Sequence, residues 1–176
     1  MQEYLDVLTD KGAFTGKKEL REICHREGLW HQTVHVWLKV QDFILLQKRS
    51  ERQETFPCYW DISCAGHITA GERKINAVLR ELVEEVNLRI LENHPKFLTT
   101  LKSEKWLSET FIDKEFCHIY LVELDDRFDV KGLKTEEVSE FKWEHINNFK
   151  LLMNDPCSKL VPHEEEYQFI LQSFKK

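Results

Sequence analysis

One segment of the chain joins a clear helical pattern to a cluster of acidic residues. From residue 73 to residue 86, apolar side chains recur at the spacing of an amphipathic helix: Ile75, Val78, Leu79, Leu82 and Val86. Asn87 follows as the helix end, because asparagine tolerates the left-handed backbone conformation better than most residues. The sequence therefore predicts a helix over 73–86 that buries one face in the core of the protein.

The other side of this helix carries three carboxylates. Glu81 and Glu85 are four residues apart and Glu84 lies between them, so all three project from one side. Like charges at this spacing cost roughly 0.2–0.5 kcal/mol per pair. A hard divalent cation such as Mg²⁺ or Mn²⁺ would offset the repulsion. The alternative is a solvated acidic face, which is what most glutamate clusters are.

The remaining pattern predicts a single α+β domain. Residues 33–40 alternate between apolar and polar side chains and, with 43–47, read as a hairpin. Further strands are expected at 3–8, 61–68, 97–102, 106–112, 116–124 and 139–143. Helices are expected at 17–26, at 145–152 and from Pro162 onward. In the last helix, Glu164, Glu165 and Glu166 precede Lys175 and Lys176, the order that the helix dipole favours.

Composition excludes several classes of protein. A chain of 176 residues is the usual size of one domain. The net charge of −6 argues against a nucleic-acid partner. Met1-Gln2-Glu3-Tyr4 does not begin a signal peptide, and no apolar run approaches the length of about 18 residues that indicates a membrane span. The five cysteines include no C-x-x-C pair, which argues against a zinc ribbon or disulfide framework and favours a reducing cytoplasm.

Six residues around the helix stand at a fixed spacing: Gly66, Glu72, Arg80, Glu81, Glu84 and Glu85. This order, with apolar Leu82 and Leu88, resembles the Nudix box. Asn87 replaces the last glycine of the box, a mild departure because asparagine reaches the same backbone conformation. The resemblance implies the Nudix fold, in which a mixed β-sheet is sandwiched between α-helices and the box forms a loop–helix–loop.

The resemblance also implies an activity, the metal-dependent hydrolysis of a diphosphate linked to another moiety X. Mg²⁺ or Mn²⁺ would be held by Glu81, Glu84 and Glu85, with the Gly66 carbonyl as a further ligand. Glu84 or Glu85 is the expected base, and Glu115 or Asp113 the assisting acid from a later strand. Glu72 and Arg80 would form a supporting ion pair. A nucleoside diphosphate derivative is the default substrate.

The similarity extends to one branch of that family, the hydrolases similar to isopentenyl-diphosphate isomerase. It is carried by residues 28–31, 35–37, 45–50, 60–63, 65–67 and 161–163, and by Glu3, 6–8, Gly12 and 15–16. We expect residues 1–30 to form an N-terminal extension packed on a Nudix domain of residues 31–176. That extension would either cover the site or pair with a second subunit. The sequence is therefore consistent with a monomer and with a homodimer. Cys58 replaces a glycine that is usual in this branch.

The same branch raises the isomerase itself as an alternative function. His31 and His67 stand where two metal-binding histidines of the isomerase fall, Asp113 and Glu115 resemble its pair of acids, and His25 is one residue from the position of the third histidine. Against it, Ala65 stands where the catalytic cysteine should precede Gly66. Cys64 is one residue early and would point to the opposite face. A non-catalytic binding module is the third alternative, although such modules usually lose box carboxylates.

A basic cluster follows the second strand of the hairpin. Lys48, Arg49 and Arg52 would bind substrate phosphates, or form an exposed solubilising run. His31 and His67 flank the box loop and are further candidates for substrate binding. His35, next to Trp37 on a strand, is interpreted as a hydrogen-bonded packing residue rather than a ligand.

Overall fold

The computed structural model describes residues 2–174. They form β1 (Tyr4–Leu8), β2 (Phe14–Leu20), β3 (His31–Val40), β4 (Phe43–Arg49), β5 (Trp60–Asp61), β6 (Cys64–His67), β7 (Lys96–Ser108), β8 (Phe111–Glu123) and β9 (Val138–His145). The helices are α1 (Arg21–Glu27), α2 (Lys74–Val86), α3 (Ile146–Asn154) and α4 (Glu164–Gln172). Across residues 2–174, none of the helices has the length and apolar character that crossing a membrane requires.

Seven of the strands form one mixed sheet. Its main order is β5-β4-β3-β8-β7, with β6 paired to β3 and β9 paired to β4. The pair β3–β8 is parallel and the other pairs are antiparallel. β3 pairs with β4 only at Lys39 and Val40 and with β6 over residues 33–36. The two strands of the hairpin therefore diverge, and β6, which carries the box glycine, lies beside the first half of β3.

The seven-stranded sheet is covered by helices on both faces. On one face Val34, Val36 and Leu38 pack with Val78 and Leu82 of α2. On the other face Trp37 packs with Phe149 of α3 and with Tyr167 and Ile170 of α4. Every residue of β3 is buried because both faces of this strand are covered. The predicted α+β fold with a sandwiched mixed sheet is confirmed.

The helix that carries the acidic cluster also forms as predicted. α2 spans Lys74–Val86, and Asn87 follows in the left-handed conformation with φ 54°. The Asn87 N–H donates to Val83 O at 3.2 Å, and the Leu88 N–H donates to Leu82 O at 2.9 Å. The first is the 5→1 bond of the αL capping motif, in which glycine is the usual left-handed residue and asparagine is the usual substitute, so asparagine is tolerated at this position.

The predicted helix over 17–26 is wrong in its first half. Residues 14–20 form β2, and α1 begins only at Arg21. β2 pairs with β1 in a two-stranded sheet, and its first five residues are exposed. A strand whose side chains mostly face water can carry consecutive charges such as Lys17 and Lys18, and it then lacks the alternation by which a strand is recognised.

Other boundaries also differ from the prediction. The three strands expected between 97 and 124 are two strands of 13 residues each, β7 and β8, joined by a turn at residues 109–110. β7 is a half-exposed edge strand, so the polar run Ser103-Glu104-Lys105 does not interrupt it. The expected strand 61–68 is divided into β5 and β6, and α4 begins at Glu164 rather than at Pro162. Lys175 and Lys176 lie outside the described residues.

The N-terminal segment is attached to the loop that opens the box. The Ala70 N–H donates to Tyr4 O at 2.7 Å, and the Gly71 N–H donates to the Asp6 carboxylate at 2.8 Å. Leu5 and Thr69 form a β-bridge. These contacts place α1 beside β8, so the first thirty residues build part of the region around the box.

Candidate active site

The box glycine lies directly against the first carboxylate of α2. A Cβ added to Gly66 would lie 1.8 Å from Glu81 Oε1, so no larger residue fits unless that carboxylate moves. Glu81 and Glu85 each expose only 7% of their surface, whereas Glu84 is exposed. Glu85 Oε2 accepts a hydrogen bond from the Ala65 N–H at 3.3 Å. α2 thus turns two of its three carboxylates toward β6.

Arg80 connects the box loop to the carboxylates. Its Nε and Nη2 donate to the two oxygens of Glu72, each at 3.1 Å, in the bidentate geometry of strong guanidinium–carboxylate pairs. Nη2 also donates to His67 O at 2.8 Å, and Nη1 contacts Glu81 at 2.5 Å and Glu84 at 3.2 Å. The sequence prediction that Arg80 pairs with Glu72 matches this geometry, and the pair fixes the loop relative to the helix.

Burial raises the pKa of both inward carboxyls. Desolvation is the main cause for Glu81, whose pKa rises to about 7 despite the adjacent Arg80. Desolvation also raises the pKa of Glu85 well above its usual range, and the charge of Glu81 adds to that effect. A divalent cation would stabilise both carboxyls in their ionised form. Two buried carboxylates, one of them against Gly66, fit an ion that prefers oxygen ligands, such as Mg²⁺ or Mn²⁺.

Five further side chains converge on the other side of β6. This histidine cluster consists of His25, His31, His67, Asp113 and Glu115. His67 Nε2 lies 3.3 Å from His25 Nε2 and 4.0 Å from Glu115 Oε1. Asp113 Oδ1 lies 3.5 Å from His25 Nε2 and 3.9 Å from His31 Nε2. One ligand atom from each of the three histidines lies within 4.8 Å of the other two.

In the histidine cluster, the Nε2 atoms of His25 and His31 point toward the centre of the cluster. Nδ1 of His25 faces Arg21 O at 3.0 Å and Nδ1 of His31 faces Leu29 O at 2.9 Å, so carbonyls orient both rings with Nε2 inward. His31 Nε2 and Asp113 Oδ1 are buried, and neither has a hydrogen-bond partner within residues 2–174. An unpartnered nitrogen among carboxylates is a feature of a metal site, because an ion would satisfy both.

Charge within the histidine cluster is uneven. Desolvation, followed by the charge of His31, lowers the pKa of His67 well below its usual range, which keeps this ring neutral. Burial opposes protonation of His31, but the nearby Glu115 carboxylate outweighs it and raises the pKa of His31. Burial likewise opposes ionisation of Glu115, but His31 lowers the pKa of that carboxyl well below its usual range. A neutral His67 and an ionised Glu115 are both in the form that binds a metal.

Both groups border one cavity of about 470 Å³. Glu81 and Glu84 line it from α2, and His67 and Glu115 line it from the histidine cluster. The N-terminal segment contributes Arg21 and His25 to its wall. The cavity therefore brings most of the predicted site residues together, and part of it is built by the predicted N-terminal extension.

Comparison with known proteins identifies the family. The model of the NUDIX domain matches residues 29–163. The chain belongs to the Nudix family. It is 33% identical over 168 residues to Nudix hydrolase 3 of Arabidopsis thaliana, which covers 93% of this chain but only 22% of that relative. Family membership makes this an enzyme of the Nudix hydrolase type, and Nudix hydrolases are generally metal-dependent pyrophosphatases.

Two further matches agree with the sequence resemblance. The chain is 30% identical over 134 residues to isopentenyl-diphosphate Delta-isomerase of Pectobacterium atrosepticum, covering 76% of this chain and 71% of that protein. The crystal structure of DR0079 from Deinococcus radiodurans superposes with a TM-score of 0.72 at 19% identity, covering 98% of this chain and 100% of that one. The first match supports the isomerase-like branch, and the second supports the Nudix fold.

The basic residues predicted to bind substrate are separated in this Nudix domain. Arg49 lines the cavity, but its guanidinium donates to Asp61 Oδ2 at 3.1 Å and to Thr55 O at 2.9 Å. Lys48 lies 3.8 Å from Glu140, and neither Lys48 nor Arg52 is among the described residues that line the cavity. Arg49 thus holds the loop at residues 50–59 in place, and two of the three predicted phosphate ligands stay outside the cavity.

The cysteine expected of an isomerase is absent from the cavity wall. Cys64 packs on the α2 face of the sheet, whereas Ala65 packs on the opposite face. Cys58 has φ 63°, a left-handed conformation that glycine adopts freely. This conformation fits the glycine that the sequence resemblance leads us to expect at the position of Cys58.

Four polar residues of the cavity region were missed by the sequence analysis. They are Asp61, Lys105, His163 and Glu166. His35 Nδ1 lies 2.8 Å from Glu166 Oε2, a contact that agrees with its interpretation as a hydrogen-bonded packing residue. These two residues are 131 positions apart, and Glu166 resembles its exposed neighbours in a run of three glutamates. The alternation of β3, which places His35 and Thr33 on the same face of the strand, is the one sequence signal that could have pointed to this wall of the cavity.

Proposed function

We propose that this protein is a metal-dependent hydrolase that cleaves the diphosphate linkage of a nucleoside diphosphate joined to a moiety X. One observation carries the proposal: Glu81 and Glu85 are both buried on one side of α2, Glu81 lines the cavity, and Gly66 leaves the space that the Glu81 carboxylate occupies. A cation would be stabilised there, because without one burial raises the pKa of both carboxyls and the charge of Glu81 raises that of Glu85 further.

The box residues have separate roles in this proposal. Glu81, Glu84 and Glu85, with the Gly66 carbonyl, hold Mg²⁺ or Mn²⁺, which when bound neutralises phosphate charge and makes a water molecule more acidic. Arg80 and Glu72 keep the carboxylates aligned. Water attacks one phosphorus of the diphosphate, the bridging P–O bond breaks, and two phosphorylated products leave. Glu84, Glu85 and Glu115 are the candidates to accept the proton of that water.

The histidine cluster forms a second metal site in this proposal. Three imidazoles and two carboxylates suit Zn²⁺, Mn²⁺ or Fe²⁺ rather than Mg²⁺. We expect wild-type protein to retain a transition metal after dialysis and elemental analysis, and His25→Ala to retain at least tenfold less. His94→Ala, an exposed histidine outside the cavity, is the control. Equal metal content in His25→Ala and wild type would refute the second site.

One observation favours the isomerase as a second candidate function, namely that all five side chains of the histidine cluster are present and converge. Ala65 opposes it. Protonation and deprotonation of an alkene need two acid–base groups, and alanine supplies none at the position where the catalytic thiol is expected. A non-catalytic binding module is disfavoured by the intact set of Glu72, Arg80, Glu81, Glu84 and Glu85. Conversion of isopentenyl to dimethylallyl diphosphate, followed by NMR without phosphate release, would establish the isomerase.

A phosphate-release screen tests the hydrolase. The panel holds nucleoside di- and triphosphates, ADP-ribose, sugar nucleotides, dinucleoside polyphosphates and isopentenyl diphosphate, each with Mg²⁺ or Mn²⁺. We expect hydrolysis of at least one nucleotide that falls at least 10²-fold in Glu85→Gln and persists in Glu109→Gln, an exposed matched control. Hydrolysis that survives Glu85→Gln, or no hydrolysis at all, would contradict the proposal.

We also propose a small-molecule diphosphate as the binding partner and no nucleic acid. The cytoplasm is the proposed compartment, which the five free cysteines support. A monomer and a homodimer both remain compatible with the site, since one chain supplies every residue of the histidine cluster and of the box.

A further inference from the structure

One wall of the cavity belongs neither to the box nor to the histidine cluster. We call it the polar wall, and it consists of Thr33, His35, Asp61, Lys105 and His163, all of which line the cavity. The rings of His35 and His163 meet edge to face with centroids 5.3 Å apart. His35 pairs across β3 and β6 with Ala65, the residue before the box glycine. The polar wall therefore begins about 5 Å, one strand spacing, from the box.

Each of the two histidines of the polar wall is held in place by a hydrogen bond to a carboxylate. His35 Nδ1 lies 2.8 Å from Glu166 Oε2, and the Trp37 indole N–H donates to Glu166 Oε1 at 2.7 Å. His163 Nε2 lies 3.2 Å from Asp61 Oδ1. Each ring is thereby oriented through one nitrogen. The other nitrogen, Nε2 of His35 or Nδ1 of His163, has no hydrogen-bond partner within residues 2–174.

Two more groups of the polar wall have unused hydrogen-bonding capacity. Thr33 Oγ1 is buried, and the described part of the chain gives it no hydrogen-bond partner. Lys105 Nζ donates to Pro162 O at 3.0 Å, and no described carboxylate lies within 4.0 Å of it. An apolar substituent placed here would leave these groups unpaired and desolvated, which is costly. A hydroxylated substituent would satisfy them.

The charges of the polar wall favour a substrate group that bears hydroxyls over a second phosphate. His35 is paired with Glu166, and Asp61 is shared between His163 and Arg49 Nη1, 3.1 Å from its second oxygen. Lys105 is the one cation of the polar wall without a carboxylate partner in residues 2–174. A single cation beside several neutral donors and acceptors suits a neutral group rich in hydroxyls better than a dianion.

We propose that the moiety X is a hydroxyl-bearing group, such as a ribosyl or sugar unit, and that His163 is the residue that selects it over an alkyl or prenyl group. The proposal rests on the proposed function, since X is the part of the substrate beyond the diphosphate. His163 contacts X, and Asp61 positions its ring. Ala65 offers X no polar side chain, so we assign the discrimination to the polar wall.

The test compares two substrates that share the ADP half, namely ADP-ribose and the pentyl ester of ADP. A site built to bond a hydroxyl rejects an analogue that lacks it by about 10⁴-fold or more, and for this partly open wall we expect at least about 10²-fold in kcat/KM. His163→Phe should lower that ratio at least tenfold by reducing kcat/KM for ADP-ribose alone. His163→Gln should restore part of the ratio, and His94→Phe should leave it unchanged.

Equal kcat/KM for the two compounds in wild type would overturn the inference. So would an equal loss for both compounds in His163→Phe, since that result indicates a structural role. If neither compound is hydrolysed, the proposed function fails for this substrate class, and dissociation constants in Mg²⁺ then test the inference separately. Binding of ADP-ribose at least tenfold tighter than the pentyl ester supports it, and equal binding refutes it.

Discussion

Gly66→Ala gives the sharpest test of how the box is built. The added Cβ would lie 1.8 Å from Glu81 Oε1 and 2.1 Å from its Cδ, whereas ordinary contact begins at 3.4 Å. The carboxylate must therefore move by about 1.6 Å, away from its place beside Arg80 and β6. Inserting a methyl group into a packed site typically costs about 1–3 kcal/mol. A displacement of about 1 Å near the reacting groups lowers activity by about 10²-fold.

A double-mutant cycle separates this clash from any other effect of the alanine. Urea denaturation should show Gly66→Ala to be destabilising by about 1–3 kcal/mol in the wild type. In a Glu81→Ala background the carboxylate is gone, and the same substitution should cost less than about 1 kcal/mol. Mn²⁺ affinity, measured by calorimetry, should fall in both Gly66→Ala and Glu81→Ala. An equal cost of Gly66→Ala in both backgrounds would refute the reasoning.

Three further perturbations follow from single contacts. Cys58→Gly should raise the free energy of unfolding by about 0.5–1 kcal/mol in urea melts, because φ 63° strains a cysteine; a loss of stability would contradict this. Glu166→Gln should destabilise the protein by about 2–4 kcal/mol at pH 6. Glu166 raises the pKa of His35 to about 9 against burial, so this difference should be full below pH 6.5 and shrink as pH rises through 9. A pH-independent difference would exclude the ion pair. Asp6→Ala removes the acceptor of the Gly71 N–H and should cost about 1 kcal/mol and speed hydrogen exchange at that amide.

Sequence reasoning was sufficient for the parts of the site that lie close together along the chain. The Nudix helix follows from an apolar stripe whose period matches α2, and the Arg80–Glu72 pair follows from a fixed spacing of eight residues. Local periodicity carries this information because neighbours on one helix turn are neighbours in space.

The rest of the site depends on contacts that local patterns do not encode. His25 contacts Asp113 across 88 positions, and Glu166 contacts His35 across 131. Glu166 is buried although Glu164 and Glu165 beside it are exposed, and nothing in a run of three glutamates shows which one turns inward. β2 and β7 were misassigned for a related reason, since strands that face water on one side accept charges that mimic a helix or a loop.

The joining of α1, β8 and His163, the residue before α4, around one cavity has a consequence for synthesis of the protein. The box and most of the sheet emerge from the ribosome before residue 163, yet His163 joins the polar wall, and Glu166 fixes His35 from behind, only when the chain reaches α4. Pairings this distant in sequence form late and slowly, because the chain entropy of a long loop must be lost first. A nascent chain would therefore gain its carboxylates before it gains the wall that selects X, so early cotranslational intermediates would discriminate poorly between nucleotides even if they bound a metal.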